Sequence, residues 1–245
     1  MTVGRELYIV IPAHDRQGML AELLGTLDVS PAHVFLIDNN SDRPLHHDFG
    51  QSAIVVQYGD RNIQAMWNFG WELASKAADG KPYAVAFLNS DAMTSAETLV
   101  RMTDALDTLN ASLVSSDYSR LLYEGGILRK RIPGPVSWEC AMSGWGFVVR
   151  GELQSRFDEQ FVWWYGDPDF EWRARQEFGG SVVLGGAYIE NRDANGAQRD
   201  FPELNFQCDR DRVAFINKWG VSSQDWTIYN EVVYNAKLRL NRSMR

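Results

Sequence analysis

Short β-branched apolar runs alternate through the first 120 residues with longer segments whose apolar positions recur at helical spacing, and this alternation restricts the chain to βαβ units around a mainly parallel sheet. The strands expected are Leu7 to Ile11, Val34 to Ile37, Ile54 to Gln57, Ala84 to Leu88 and Leu113 to Ser116. Helices are expected at Met19 to Leu27, Ile63 to Ala78 and Ala96 to Leu109. Polar residues follow three of the strands: Pro12-Ala13-His14-Asp15, Asp38-Asn39-Asn40-Ser41 and Asn89-Ser90-Asp91. In open α/β sheets, ligands bind at those carboxyl ends. No Gly-x-Gly-x-x-Gly follows the first strand and no Gly-Lys-Ser or Gly-Lys-Thr loop occurs, which disfavours a dinucleotide fold and a P-loop enzyme.

From Gly125 onward glycines interrupt shorter segments, a pattern of loops around a pocket. Neither a repeat nor a low-complexity linker separates the halves. One domain over residues 1–206 is expected, with a nucleotide-binding half (1–120) and a second half (121–206) whose loops surround the pocket. Residues 207–245 read as a helical extension with helices at Arg210 to Trp219 and Glu231 to Leu240. Its aromatics Trp219, Trp226, Tyr229 and Tyr234 would cover the core or form a homodimer contact. A content of 45% hydrophobic and 12% aromatic residues supports a sizeable core, and the chain lacks a run long enough to span a membrane. A cytoplasmic protein without integral membrane contact is expected. The formal charge of −8 argues against nonspecific nucleic-acid binding by the whole surface. The basic tail residues Lys237, Arg239, Arg242 and Arg245 read as a solvated helix end. Cys140 and Cys208 lack metal-site spacing and are expected as free thiols.

Five segments carry candidate chemistry. The run FVWWYGDPDFEWRAR from Phe161 to Arg175 sets Asp167 and Asp169 beside Trp163 and Trp164, a general base next to rings that stack on sugars. The same residues also read as a capped helix, with Asp167 as N-cap and Pro168 as first helical residue. Asn89-Ser90-Asp91 suits a divalent cation such as Mn²⁺ or Mg²⁺, or else an Asx-turn. Asp38 can meet a base or ribose, or else belongs to a plain turn, and Arg61-Asn62 opens a helix where phosphate or a base can bind, or else is a surface helix start. Ser143-Gly144-Trp145-Gly146-Phe147 is a turn entering a strand, with Trp145 available to a donor or acceptor sugar.

Taken in order, these segments resemble family 2 glycosyltransferases with the GT-A fold, over residues 7 to 195. The resemblance implies an α/β, GT-A-like single domain: a central, mostly parallel sheet flanked by helices, with a helical C-terminal segment. Pro12 and His14 in IVIPAHDR match the family's first loop, and Asp38 in LIDNNS matches the nucleotide-base contact. Arg61-Asn62 and Asn68-Phe69-Gly70 match the following helix. Asn89-Ser90-Asp91 corresponds to the metal motif, SGWGFVVR to the acceptor turn, and Gly166-Asp167 to the motif that holds the base. Several positions depart from the family pattern. Asn89 replaces the first metal carboxylate, Gly166 replaces the first acid of the base motif, and the segment from Arg61 to Gly70 is short. A histidine metal ligand is missing where Glu190, Asn191 and Asp193 stand, of which Asn191 is the expected ligand.

The resemblance implies an inverting displacement in which a divalent cation neutralises the leaving nucleotide diphosphate and Asp167 deprotonates the acceptor hydroxyl. Asp169 would bind the acceptor or replace Asp167 as base. A UDP-sugar is favoured because Asp38 can accept the uracil N–H. Saccharide, protein and modified nucleic acid all remain open as acceptors. Trp145, Gly144, Trp163 and Trp164 would form the sugar wall, with one of the paired indoles facing the pocket if their segment is extended. The rival reading is a catalytically silent glycan- or nucleotide-binding domain of the same fold. A nucleotidyltransferase fits less well, because PAHDRQGM lacks its glycine-rich, basic loop.

Overall fold

The computed structural model describes residues 4–116, 127–131, 142, 144–193 and 196–220. Cys140, Ser143, the helix expected at Glu231 to Leu240, the basic tail and Trp226, Tyr229 and Tyr234 lie outside them.

Strands β1 (Glu6–Ala13), β2 (Val34–Asp38), β3 (Ile54–Gln57) and β4 (Tyr83–Leu88) pair in parallel in the order β3-β2-β1-β4. The sheet continues through β8 (Gly146–Arg150), β6 (Leu113–Ser115), β9 (Ser181–Leu184) and β7 (Ile127–Arg131), with β8 and β7 running against the others. A second, two-stranded sheet joins β5 (Ala92–Met93) to β10 (Glu190–Asn191). Strands of this length, buried on both faces, need apolar residues at every position, and β4 is buried throughout. Alternation along β1 divides the core. Ile9 and Ile11 pack on Leu20 and Leu23 of α1 (Gln17–Thr26) and on Leu99, Met102 and Leu106 of α4 (Ala96–Thr108). Tyr8 and Val10 face Trp67 and Trp71 of α3 (Ile63–Ala78) and Phe170 of α5 (Gly166–Ala174).

The regular elements agree with the sequence expectation to within a residue or two, because their periodicities are local. The short helix α2 (His46–Phe49) and the β5/β10 pair carry too little pattern to be expected. After α6 (Gly196–Asp200), helix α7 (Leu204–Trp219) begins earlier than Arg210 and packs Phe215 against Phe161 and Trp172. Among the described residues no helix is long and apolar enough to cross a membrane. Cys208 is a free, half-buried thiol.

Candidate active site

Strand register builds one end of the site. Leu88 pairs with Gly146, and the Asn89 amide donates to the Trp145 carbonyl at 3.0 Å, so the loop after β4 lies beside the turn before β8. The β5/β10 pairing sets Asn191 opposite Ala92, and the Arg192 amide donates to the Asp91 carbonyl at 3.1 Å. A cleft of about 410 Å³ opens here. It is lined by Pro12, His14, Asn89, Ser90, Asp91, Gly144, Trp145, Trp163, Trp164, Asp167 and Asn191 of the expected residues.

Asp91 is half-buried. Burial raises its carboxyl above the ordinary range and Asp193 adds to this, while Arg16 opposes it. Asn191 Oδ1 is buried and finds no hydrogen-bond partner among the described residues. An orphaned amide oxygen next to a desolvated carboxylate suits a hard cation, which prefers oxygen ligands. No three His, Cys, Asp or Glu side chains among the described residues gather as a metal site. A cation here would therefore rest on Asp91 and amide oxygens.

Asp167 marks the other end. Helix α5 starts at Gly166 behind Tyr165, which has a left-handed backbone (φ 64°) and makes no side-chain cap. Asp167 is thus a first-turn residue and not the N-cap, and its carboxylate lines the cleft. Burial, reinforced by Glu171 one turn on, pushes its carboxyl up to about 7. Two glycines shape its surroundings. A Cβ at Gly144 would lie 2.9 Å from Asp167 Oδ2, and one at Gly166 would lie 2.1 Å from Gln64 Cδ. Gly166 leaves its space to the Gln64 amide.

Successive helical residues turn by about 100°, so positions two apart point about 200° apart and cannot share a face. Asp169 accordingly points away from the cleft. It is fully buried, paired with Arg173 Nη2 at 2.7 Å and Lys218 Nζ at 2.6 Å, and accepts from Trp219 Nε1 at 3.0 Å. The expectation that Asp169 binds the acceptor or serves as base is corrected: it anchors α5 to α7.

Both tryptophans line the cleft, where one was expected. The segment 162–164 is bent, not extended. The amides of Trp163 and Trp164 each donate to Asp211 Oδ2 at 2.9 Å, and that of Val162 to Oδ1 at 3.2 Å, so one buried carboxylate of α7 gathers the turn. The indole centroids sit 6.3 Å apart.

Besides Asp169, four expected residues do not line the cleft. Asp38 is fully buried; burial alone would raise its carboxyl, but donors from Ser41, Leu45 and Gln57 hold it below the ordinary range. Those bonds, at 3.0, 2.9 and 2.5 Å, tie both oxygens to the loop after β2 and to Gln57 of β3. Asn62 caps α3 by accepting from the Gln64 and Ala65 amides. Asn68 bridges to the backbone of Phe157 through both its amide atoms, at 2.9 Å each. Arg61 sits at the rim, stacked 4.4 Å from the centroid of Phe201, which itself lines the cleft, and paired with Glu203 at 3.3 Å.

The cleft also holds residues that sequence reasoning left out: Arg16, Asn39, Gln64, Trp67, Gln198 and Phe201. Arg16, in a left-handed conformation, bonds Asp193 at 2.5 Å and Asp200 at 2.6 Å. Hydrogen bonds from Arg199 and Arg16 hold the Asp193 carboxyl down at about 2. Arg16 directly follows the first loop, which was the available signal; Gln64 looked like an ordinary first-turn helix residue.

Neither a protein-family model nor a curated protein sequence matches the chain. Solved structures do. Glucosyl-3-phosphoglycerate synthase from Mycobacterium tuberculosis, in complex with Mn²⁺, UDP-glucose and phosphoglyceric acid, superposes with a TM-score of 0.58 at 18% identity, covering 90% of this chain and 81% of that one. S. aureus TarS gives 0.54 at 16% identity, with 75% of this chain covering 36% of TarS. GalNAc-T7, with UDP, GalNAc and Mn²⁺, gives 0.54 at 11% identity, covering 74% and 42%. The chain thus spans about a third of the length of TarS. It has the GT-A-like fold of nucleotide-sugar glycosyltransferases.

Proposed function

We propose that the protein is a metal-dependent, inverting glycosyltransferase that moves a sugar from a nucleoside-diphosphate donor, UDP favoured, to an acceptor hydroxyl. The observation that carries this reading is Asp167: a carboxylate at the end of a cleft, raised by burial to about 7, where a general base is half-ionised near neutrality and strong enough to accept a hydroxyl proton. Complexes of the fold neighbours with UDP or UDP-glucose and Mn²⁺ support the donor and ion classes.

Asp91, Asn89 and Asn191 would hold the divalent cation. Bound there, the ion would supply positive charge to the leaving diphosphate. Asp167 takes the proton of the acceptor hydroxyl as its oxygen attacks the anomeric carbon from the face opposite the nucleotide, and configuration inverts. Trp163 and Trp164 orient the sugars and exclude water. Asp38, Asn62 and Asn68 serve by shaping the loops beneath the donor.

The test is a nucleotide-sugar panel by calorimetry, with and without Mn²⁺, on wild type and Asp91→Ala, followed by mass spectrometry for donor hydrolysis. Mn²⁺-dependent binding of one donor, slow release of its sugar and loss of both in Asp91→Ala are expected. The lack of a three-ligand acidic or histidine cluster among the described residues favours a second reading, a silent binding domain. Donor binding without any hydrolysis or transfer would select it.

A further inference from the structure

The two ends of the cleft differ in charge. Arg16 is the sole lysine or arginine lining it among the described residues, and it is bonded to Asp193 and Asp200 beside Asp91, at the donor end. Gly144 abuts Asp167 and Gln64 abuts Gly166, and the lining residues Ile63, Trp67, Trp163 and Trp164 are likewise uncharged, so the base is the only charge among these described residues.

Gln64 is the unusual member. It is 1% exposed, and its Oε1 has no hydrogen-bond partner among the described residues. Its amide occupies the space above Gly166, immediately before the base. Trp67, one turn along α3 and on the same face, likewise has a buried Nε1 without a partner. Buried acceptors and donors left unpaired destabilise the free protein, and a ligand that pairs them recovers that loss. Apolar ring faces with a few unpaired polar atoms match a pyranoside, whose C–H face packs on indole and whose hydroxyls both donate and accept. An anionic acceptor brought to the Asp167 carboxylate would meet repulsion that no lysine or arginine beside it among the described lining residues compensates, weakening it roughly tenfold or more.

We infer that the acceptor is a neutral saccharide, held against Trp163 and Trp164, with Gln64 as the positioning residue that engages one of its hydroxyls beside Asp167. The inference rests on the transferase reading for the word acceptor, but sugar recognition at this end stands on its own. It sets this chain apart from the phosphoglyceric acid seen in the mycobacterial complex.

The experiment titrates methyl glucosides, galactosides and mannosides, and a neutral disaccharide, against 3-phosphoglycerate and glucose 6-phosphate by calorimetry, while donor hydrolysis is followed separately. Neutral glycosides are expected to bind and the phosphates not. Gln64→Leu should raise the glycoside Kd about fivefold or more, the scale of one lost hydrogen bond, with the donor Kd unchanged. Gln64→Glu keeps an acceptor oxygen and should retain the sugar, while its added carboxyl moves the acidic limb of the transfer pH profile upward. Should Gln64→Leu fail to fold, the Gln64→Glu titration and pH profile carry the test. Preferential binding of the phosphates, binding of neither class, or an unchanged glycoside Kd in Gln64→Leu would overturn the inference. Glycoside binding without donor hydrolysis would instead refute the transferase reading and leave the sugar site standing.

Discussion

Asp167→Asn should yield a protein that is more stable and nearly inactive. Asparagine preserves the shape of the side chain but cannot ionise. Displacing a carboxyl from its ordinary 3.8 to about 7 corresponds to about 4 kcal/mol at 1.36 kcal/mol per pH unit. The cleft side of Asp167 is open to water, which reduces this to roughly 1–2 kcal/mol. The sign follows from linkage. A carboxyl whose folded pKa is raised burdens the fold fully above about 7, progressively less as pH falls, and not at all below 3.8. At pH 8 the variant should therefore melt about 2–8 °C above wild type, and roughly a third of the difference should persist at pH 5. Transfer should fall about 10²-fold or more, the scale of a general base. In wild type, kcat/KM should decline with acidity below about 7. Paired thermal melts and acceptor-dependent turnover at the two pH values check this. Equal melting temperatures at pH 8, or turnover within a few-fold of wild type, would refute the assignment of Asp167 as a buried base.

Gly144→Ala sets a methyl 2.9 Å from Asp167 Oδ2 and should lower kcat about tenfold or more by displacing the carboxylate, with the donor Kd unchanged in calorimetry. Asp211→Ala leaves three backbone amides of the tryptophan turn unpaired and should cost about 2–4 kcal/mol in urea unfolding. Its acceptor KM should rise more than its donor KM. Asp169→Ala strands Arg173 and the Trp219 indole N–H and leaves Lys218 only Asp158, and it should destabilise by about 3 kcal/mol or more. At a temperature where that variant remains folded, kcat should lie within a few-fold of wild type, and a base-like loss would mean that Asp169, not Asp167, meets the acceptor.

Much of the architecture was legible because it is written locally. Apolar alternation in Leu7 to Ile11 and helical spacing in Ile63 to Ala78 depend on neighbours a few positions away, and ligand-facing residues follow strand ends by rule. Pro12, His14, Asn89 and Asp91 reach the cleft on that account. Asp38 follows the same rule but lies buried beneath the cleft, where three donors from its own loop and β3 hold its carboxylate. Nothing within five residues of Asp38 signals that Gln57 will do so.

The sequence by itself determined the order of strands and helices, the polar strand ends and the pairing of carboxylates with indoles in a single segment, since each is a property of short stretches and their periodicity. Tertiary structure decided which carboxylate faces the cleft and how many indoles join it. The phase of α5 turns Asp167 inward and Asp169 outward, where Lys218 and Trp219 neutralise and fix it. A single aspartate on α7 bends the tryptophan segment so that both rings converge. Gln64 gains its place only because Gly166, far along the chain, has no side chain to fill it. Such outcomes depend on close packing between distant segments, where one missing Cβ or one buried charge selects the arrangement, and local pattern carries no record of that choice.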